Sequence, residues 1–463
     1  MFSILRIRMR QQRMKMKMHP HGVQPEHFAT LLGDDNSTRS KGLGDLHILS
    51  DEAILLILES LEPAQLGRVA TVSKALYCFA SHEELWKSFV LQLDDSTSWL
   101  YEKTWKMTYV RTMHAQQSEN VTGSCIVVDH FYSDLLHQPW FCATLDIDES
   151  WITVDTIERR SNLTLEEFQQ SYEDLNKPVI VTDVVPTWEA YENWSRDELM
   201  TAFKDTTVVV GDAPMRFDAY VKYCDEQQDE NPLYMFDKHF CRKAPKLEKD
   251  YSVPLYFRED LFSLLGDSDR PDYRWLIYGP YKSGSTFHKD PNATSAWNAV
   301  IFGSKKWIMY PPHVVPPGVR QSDDGADVAS PISLMEWMLS FYDLRDCDGV
   351  APVEFVQKCG ELLFVPRGWW HMAINLEETC AITQNFVSKV NLPHVLRFLR
   401  SPKANILVSG VETDPEKVTL HDRFLTVLRD RVPGIVESLP GFNNTTRQKE
   451  KRKHMHDKVR MNE

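Results

Sequence analysis

Between residues 273 and 387 the chain breaks into short β-branched and aromatic runs, each closed by glycine, proline or a polar turn. They are YRWLIYGP (273–280), SAWNAVIFG (295–303), KKWIMYPP (305–312), ELLFVP (361–366), GWWHMAINL (368–376) and TCAITQNFV (379–387). Each falls short of the roughly ten to twelve residues that mark a helix. Their Val, Ile, Phe, Trp and Thr suit a pleated, half-buried surface. Several such strands with turn signals at their ends predict a sandwich or barrel. The glycines of Phe302-Gly303-Ser304 and Cys359-Gly360-Glu361 fit hairpin turns. Upstream, Val179-Ile180-Val181 reads as a further buried strand, and Leu163-Thr164-Leu165-Glu166-Glu167-Phe168 carries helix-start chemistry. Beyond the runs, residues 391–400 and 415–439 return to helix, with Leu392, Val395, Leu396 and Leu399 on one face. The expected class is α+β.

The region ahead of these strands reads differently. Ser50 and Asp51 suit a helix start before AILLILESL, and Pro63 ends that helix and opens the next. Leu66, Val69, Ala70 and Leu76 then fall at helical spacing, followed by Phe79, Leu85 and Trp86. Ile54, Leu55, Ile57, Leu58, Leu61 and Leu66 crowd a bundle too short to bury them easily. Such a unit needs support, either from a partner on an exposed apolar patch or from packing on the rest of its own chain. Residues 19–44, rich in Gly, Ser, Asn, Asp and His without periodicity, read as a linker. The acid-free basic start through Lys17 reads as a disordered tail or, alternatively, as an organelle transit peptide. The closing RQKEKRKHMHDKVRMNE reads as a solvated basic tail that also fits a nuclear localisation signal.

With 52 Lys and Arg against 66 Asp and Glu in 463 residues, the net charge of -14 argues against a surface that coats nucleic acid. It mildly favours a basic partner, such as a Lys/Arg-rich protein tail. No run approaches the roughly eighteen apolar residues of a membrane span. The eight cysteines include no CxxC pair and read as reduced thiols of the cytosol or nucleus. The same reasoning discounts sequons such as Asn120-Val121-Thr122 as glycosylation sites.

The sharpest chemical feature is Ser285-Thr286-Phe287-His288-Lys289-Asp290-Pro291. In extended backbone, residues i and i+2 share a face, so His288 and Asp290 can aim an imidazole and a carboxylate at one point. His371, in Pro366-Arg367-Gly368-Trp369-Trp370-His371, is the candidate for the third ligand of a two-His-one-carboxylate iron site. An HxD alone is weak, because 16 histidines in this chain produce about one by chance, and a lone His371 is more often a core or turn histidine. Company changes the odds. Lys305, if buried at a barrel mouth, needs an anion, which a dicarboxylic cosubstrate supplies; otherwise it is a surface lysine of the Ser304-Lys305-Lys306 turn. Thr383 and Asn385 at i and i+2, and Asn298 in Ala296-Trp297-Asn298-Ala299-Val300, interrupt apolar strands. Each reads as a satisfied core group or as part of a polar pocket in an apolar barrel.

Two resemblances attach to these residues. The segment L-x-x-L-S-D-E-x-x-L-x-I-L-x-x-L-E-P-x-x-L-x-x-V-A-x-V-S-K-x-L from Leu46 resembles an F-box, with Ser50 where that family usually has Pro. The runs G-P-x-x-S-G-S-x-F-H-K-D-P-N-x-T-S-A-W-N-A-V and G-E-x-x-F-V-P-x-G-W-W-H-x-x-x-N-L-x-x-T-x-A-I-T-Q-N-F resemble JmjC-domain oxygenases. Within that family the chain is similar to the jumonji lysyl hydroxylases also assigned arginine demethylation, and to the F-box–jumonji proteins. The resemblance implies a small helical F-box (45–115, with its helical extension) followed by a double-stranded β-helix, a cupin-like jelly roll with flanking helices (125–400, barrel core about 252–390). C-terminal helices (401–440) follow, with a disordered N-terminal segment (1–44) and a basic C-terminal tail (441–463) at the ends.

It further implies Fe(II) on His288, Asp290 and His371, and 2-oxoglutarate held by Asn298, Lys305 and Thr383, with Ser285 near its distal carboxylate and Asn385 alongside. O2 would be cosubstrate and ascorbate an accessory reductant. The implied activity is hydroxylation of Lys or demethylation of Arg/Lys side chains on a basic protein such as a histone or an RNA-associated protein, with RNA as a further substrate class, in the nucleus and also the cytoplasm. The F-box implies a Skp-type adaptor of an SCF ubiquitin ligase as partner. The alternative is a catalytically inert jumonji module that recognises substrates for that ligase. Phe287 and Lys289 flank the ligands with bulkier or charged groups than the relatives carry, which leaves substrate choice open.

Overall fold

The computed structural model describes residues 18–93, 99–114, 125–211, 213–322, 328–331, 333–347 and 349–439. The basic starting segment and the closing basic tail lie outside these residues. Helices α1 (Glu26–Leu32) and α2 (Ser37–Leu43) occupy the stretch expected to be linker. That expectation fails because the order is imposed from outside the segment. Asn36, at φ 53°, donates from Nδ2 to the Tyr132 carbonyl at 2.9 Å and accepts from the Tyr132 N–H at 3.1 Å. Arg39 donates from Nε to Asp51 at 2.8 Å. Periodicity cannot report contacts of that range.

Helix α3 (Asp51–Glu59) is capped by Ser50, whose hydroxyl accepts from the Ala53 N–H at 3.3 Å. Helix α4 (Pro63–Val69) starts at Pro63, and Glu62 with Gln65 completes a capping box that the sequence reading overlooked. Helices α5 (Lys74–Ala80), α6 (Glu83–Leu91) and α7 (Trp105–Met113) complete the bundle, with α8 (Asp134–Thr144) beyond it. Ile54, Leu55, Leu58 and Leu66 face inward, whereas Ile57 is 45 % exposed and Leu56 65 %. The inner face merges with the rest of the chain. Trp105 Nε1 donates to both carboxylate oxygens of Asp229 at 2.9 and 3.0 Å, and Lys87 Nζ sits 3.3 Å from the same carboxylate. Packing on its own chain therefore supports one side of the bundle, while Ile48, Leu56, Ile57 and Val72 stay exposed.

The strands are β1 (Arg159–Arg160), β2 (Val179–Val181), β3 (Thr207–Val210), β4 (Ala213–Arg216), β5 (Met235–Asp237), β6 (Arg274–Gly279) and β7 (Gly284–His288). After these come β8 (Ser295–Phe302), β9 (Ser304–Tyr310), β10 (Val353–Lys358), β11 (Leu362–Val365), β12 (Trp370–Asn375) and β13 (Thr379–Phe386). One sheet runs β1-β2-β11-β8-β13-β6-β5-β3-β4 and the other β10-β9-β12-β7. All these pairings are antiparallel except β1 with β2. The six aromatic runs are strands as expected; β1, β3, β4, β5 and β10 are additions to that expectation, their runs being short or interrupted by charge.

Alternation along each strand sorts three layers. Ala296, Leu363, Val365, Trp307, Met309 and Ala373 meet between the two sheets. Trp297, Ala299, Ile301, Phe364, Ile382 and Phe386 cover the outer face of the large sheet, in one continuous core with the N-terminal bundle. Phe287, Ile308, Tyr310, Trp370, Met372 and Ile374 cover the outer face of the small sheet against Trp337 and Met338. This is a cupin-like, jelly-roll-like sandwich with antiparallel sheets. Helix α9 (Leu392–Leu399) buries Leu392, Val395, Leu396 and Leu399 and packs beside the turn Pro291–Ala293. No helix among the described residues is long and apolar enough to cross a membrane.

Candidate active site

The end of β7 and the start of β12 bring two histidines together from opposite ends of the barrel sequence. His288 pairs in register with His371, while Ser285 pairs with Ala373. Three residues on β7 thus oppose two on β12, and this bulge lets Ser285 and His288 face inward together. The two imidazoles lie with ring centroids 4.2 Å apart. Asp290 continues in extended conformation after the strand, and one donor atom from each of His288, Asp290 and His371 lies within 4.8 Å of the others. Among the described residues, this is the group of His, Cys, Asp and Glu side chains able to surround one metal ion.

Backbone carbonyls fix the tautomers. His288 Nδ1–H donates to the Thr286 carbonyl at 2.8 Å and His371 Nδ1–H to the Trp369 carbonyl at 3.0 Å. Both Nε2 lone pairs are left free, the form a metal ligand needs. Burial and the neighbouring His288 push the pKa of His371 well below its ordinary value, so it is neutral. Burial raises Asp290 to about 6, against the pull of His288 and of a hydrogen bond from Asn385. Its Oδ2 is buried without a protein partner. A divalent cation removes that cost, and two imidazoles with a carboxylate match the donor set of non-haem iron.

Lys305 is 2 % exposed, on the inner face of β9 beside Asn375 of β12. The surface-turn alternative therefore fails, because β9 begins one residue earlier and pleats this side chain inward. Its Nζ donates to Tyr234 Oη at 2.8 Å and has no carboxylate partner among the described residues, and desolvation lowers it from 10.5 to about 7. Asn298 and Thr383 are register partners on β8 and β13 and share this inner face. Asn298 Oδ1 and Asn375 Oδ1 are buried without partners. Either amide can turn its NH2 to a bound acceptor. The Thr383 hydroxyl donates to the Trp297 carbonyl at 2.8 Å. A buried cation beside unpartnered amides fits a dicarboxylate.

Asn385 sits lower, donating to Thr294 Oγ1 at 2.8 Å and bonding Asp290. In this position it orients the carboxylate of the triad. Sequence reasoning missed Tyr234 and Asn375, although Asn375 stands in a run quoted for the resemblance. A polar side chain four residues after His371 in an apolar strand was the available signal for Asn375; Tyr234 carried none. Nearby, Lys289 Nζ lies 4.6 Å from the Trp370 ring, and burial, followed by the charges of Arg367 and Arg397, lowers His394 to about 4.

Residues 165–391 match the cupin-like domain family and residues 51–92 the F-box-like family. The arginine-specific demethylase JMJ22 of Arabidopsis thaliana is 47 % identical over 420 residues, covering 90 % of this chain and 83 % of that protein. This chain belongs to the JmjC family. Other relatives align over about half of this chain. The bifunctional arginine demethylase and lysyl-hydroxylase psr-1 of Caenorhabditis elegans is 36 % identical over 252 residues, 51 % of this chain and 63 % of that protein. The 2-oxoglutarate and iron-dependent oxygenase JMJD4 of Gallus gallus is 28 % identical over 283 residues, 55 % of this chain and 65 % of that protein.

Proposed function

We propose that this JmjC protein is an Fe(II)- and 2-oxoglutarate-dependent oxygenase acting on Lys or Arg side chains of a basic protein. The observation that carries the reading is one inner barrel face with both the triad His288, Asp290 and His371 and a buried Lys305 that has no carboxylate partner among the described residues. His288 Nε2, His371 Nε2 and an Asp290 oxygen would hold the iron. Lys305 and Tyr234 would take the distal carboxylate of 2-oxoglutarate, with Asn298, Thr383 and Ser285 along its length. Iron and cosubstrate, when bound, supply oxidation of a substrate C–H bond at the expense of O2, releasing succinate and CO2.

The protein's own part is positioning. The Thr286 and Trp369 carbonyls keep the imidazoles in the metal-binding tautomer, and Asn385 fixes the Asp290 rotamer. Lys305 neutralises the cosubstrate in a site where burial strengthens the attraction. The Trp307 ring, 5.8 Å from His371, and the apolar layer between the sheets keep bulk water from the inner wall.

The substrate class rests on the relatives named for arginine demethylation and lysyl hydroxylation. Histone tails lead, then RNA-associated proteins. Incubation of methylarginine and lysine peptides with the full chain, Fe(II), 2-oxoglutarate and ascorbate tests it by mass spectrometry. Oxygen insertion adds roughly 16 Da and methyl loss removes roughly 14 Da. Full 2-oxoglutarate turnover by His288→Ala would overturn the assignment of the triad. Turnover without any peptide shift would move the substrate to RNA or a small molecule.

The exposed Ile48, Leu56, Ile57 and Val72 support a second role, docking of a Skp-type SCF adaptor on the F-box unit at residues 45–115. In the inert-module version of that role the barrel at residues 125–400 only recognises substrates. Purified chain that takes up no Fe(II) or Mn(II) would favour it. The C-terminal helices (401–440) brace the barrel, and the basic segment 441–463 directs the chain to the nucleus. A fluorescent fusion lacking 441–463 that still accumulates in nuclei would refute that address.

A further inference from the structure

A cavity of about 300 Å3 lies away from the triad, where α5, α6 and α7 of the N-terminal bundle meet α8 and the 228–230 segment of the barrel region. Its walls include Tyr77, Tyr101, Trp140 and the imidazoles of His19, His21 and His82. Two lysines line it, the exposed Lys103 and the half-buried Lys106, and Lys106 is the one set among the aromatic rings. Its Nζ lies 5.4 Å from the centroids of both the Tyr77 and Trp86 rings and donates to Ser81 Oγ at 3.1 Å. Among the described residues it forms no ion pair, and burial holds its pKa below the ordinary value.

The acids lining the cavity are already engaged. Asp229 takes Lys87, Trp105 Nε1 and the Tyr223 hydroxyl, the last at 2.7 Å. Glu84 pairs with Lys87 at 3.4 Å. Glu83 accepts from the Trp105 N–H at 2.5 Å at the start of α7, and burial raises it to about 7. Glu230 bonds Ser333 and Cys142, and burial raises it too. Desolvation lowers His19 to about 3 and His21 and His82 to about 4, so these rings are uncharged near neutral pH. His21 Nδ1 is buried with no partner. Among the described residues the cavity thus offers Lys106, outside any ion pair though Glu83 attracts it, with Lys103 beside it, an imidazole nitrogen without a partner, and aromatic walls.

We propose that this junction cavity binds a small monoanionic ligand with a flat aromatic body, its carboxylate on Lys106 and its ring between Tyr77 and Trp140. A lysine near aromatic faces holds such an anion by charge while the walls desolvate the ring. The ligand would bridge the residue 19–21 segment, the F-box-like helices and α8, and so stiffen the joint between the two units. The assignment stands independently of the oxygenase reading.

Titration of the full chain with 2-naphthoate, followed by saturation-transfer NMR and calorimetry, tests it beside the uncharged 2-naphthamide. One site is expected for 2-naphthoate, at least tenfold weaker for the amide and for Lys106→Met, and retained in Lys106→Arg. Lys305→Met should bind as the unaltered chain does, which separates this cavity from the barrel. Circular dichroism checks that each variant is folded. Equal binding of acid and amide, undiminished binding to folded Lys106→Met, loss confined to Lys305→Met, or no binding to the unaltered chain would each overturn the proposal.

Discussion

Replacing Lys305 by methionine should make the ligand-free protein more stable while removing its response to 2-oxoglutarate. Burial moves this ammonium from 10.5 to about 7, and each pH unit is worth about 1.4 kcal/mol, so holding the charged form inside costs about 5 kcal/mol. The folded value is depressed, so the unfolded chain binds the proton more tightly. Below pH 7 both states are protonated and the whole penalty is present. Between pH 7 and 10.5 the native side chain loses its proton first, so stability rises with pH and most of the penalty is gone by pH 9.5. Methionine keeps the apolar stem without the charge. At about 2 °C per kcal/mol the variant should melt up to about 10 °C higher at pH 6.5, and the gap should shrink at pH 9.5.

Ligand acts in the opposite direction. With Mn(II) present, 2-oxoglutarate at one hundred times its Kd should add about 2.7 kcal/mol to the unaltered protein and little to Lys305→Met. Differential scanning fluorimetry at the two pH values, with and without ligand, reads all four states. A variant that melts no higher than the unaltered protein at pH 6.5, or that keeps the full ligand shift, would refute the reasoning.

Three further expectations follow from the same geometry. His371→Ala and Asp290→Ala should each weaken Mn(II) binding at least about 100-fold by electron paramagnetic resonance while circular dichroism stays unchanged, since the triad is the described group able to surround one ion. Gly303→Ala should cost about 2–4 kcal/mol in denaturant unfolding, because φ is +82° and its Cβ would lie 2.4 Å from the Glu378 carbonyl oxygen; a loss under 1 kcal/mol would contradict this. Leu56→Asp with Ile57→Asp should abolish capture of a Skp-type adaptor and leave 2-oxoglutarate turnover intact, whereas Leu58→Asp, at a position 3 % exposed, should unfold the bundle. Adaptor capture that survives the double change would remove this face as the docking surface.

The sequence by itself determined most of the barrel strands and the donor set. Apolar runs bounded by Gly and Pro marked six strands, because pleating and turn chemistry are local, but not β10, which is as long as β6 and β12. His288 and Asp290 declared themselves by spacing, and His371 by its place at a strand mouth. Local chemistry also announced the caps at Ser50 and Thr164. Tertiary structure alone decided the rest. Helix α2 is held by Tyr132 and Asp51, partners 96 and 12 residues away from Asn36 and Arg39. Ile57 and Leu58 are adjacent and equally apolar, yet one is exposed and the other buried, since orientation belongs to packing. Register did the same for the site. A bulge in β7 turned Ser285 and His288 inward together, and pairing across β9 and β12 set Lys305 beside Asn375. Tyr234 reached Lys305 from a segment 71 residues earlier, and no local pattern encodes a hydrogen bond across that distance.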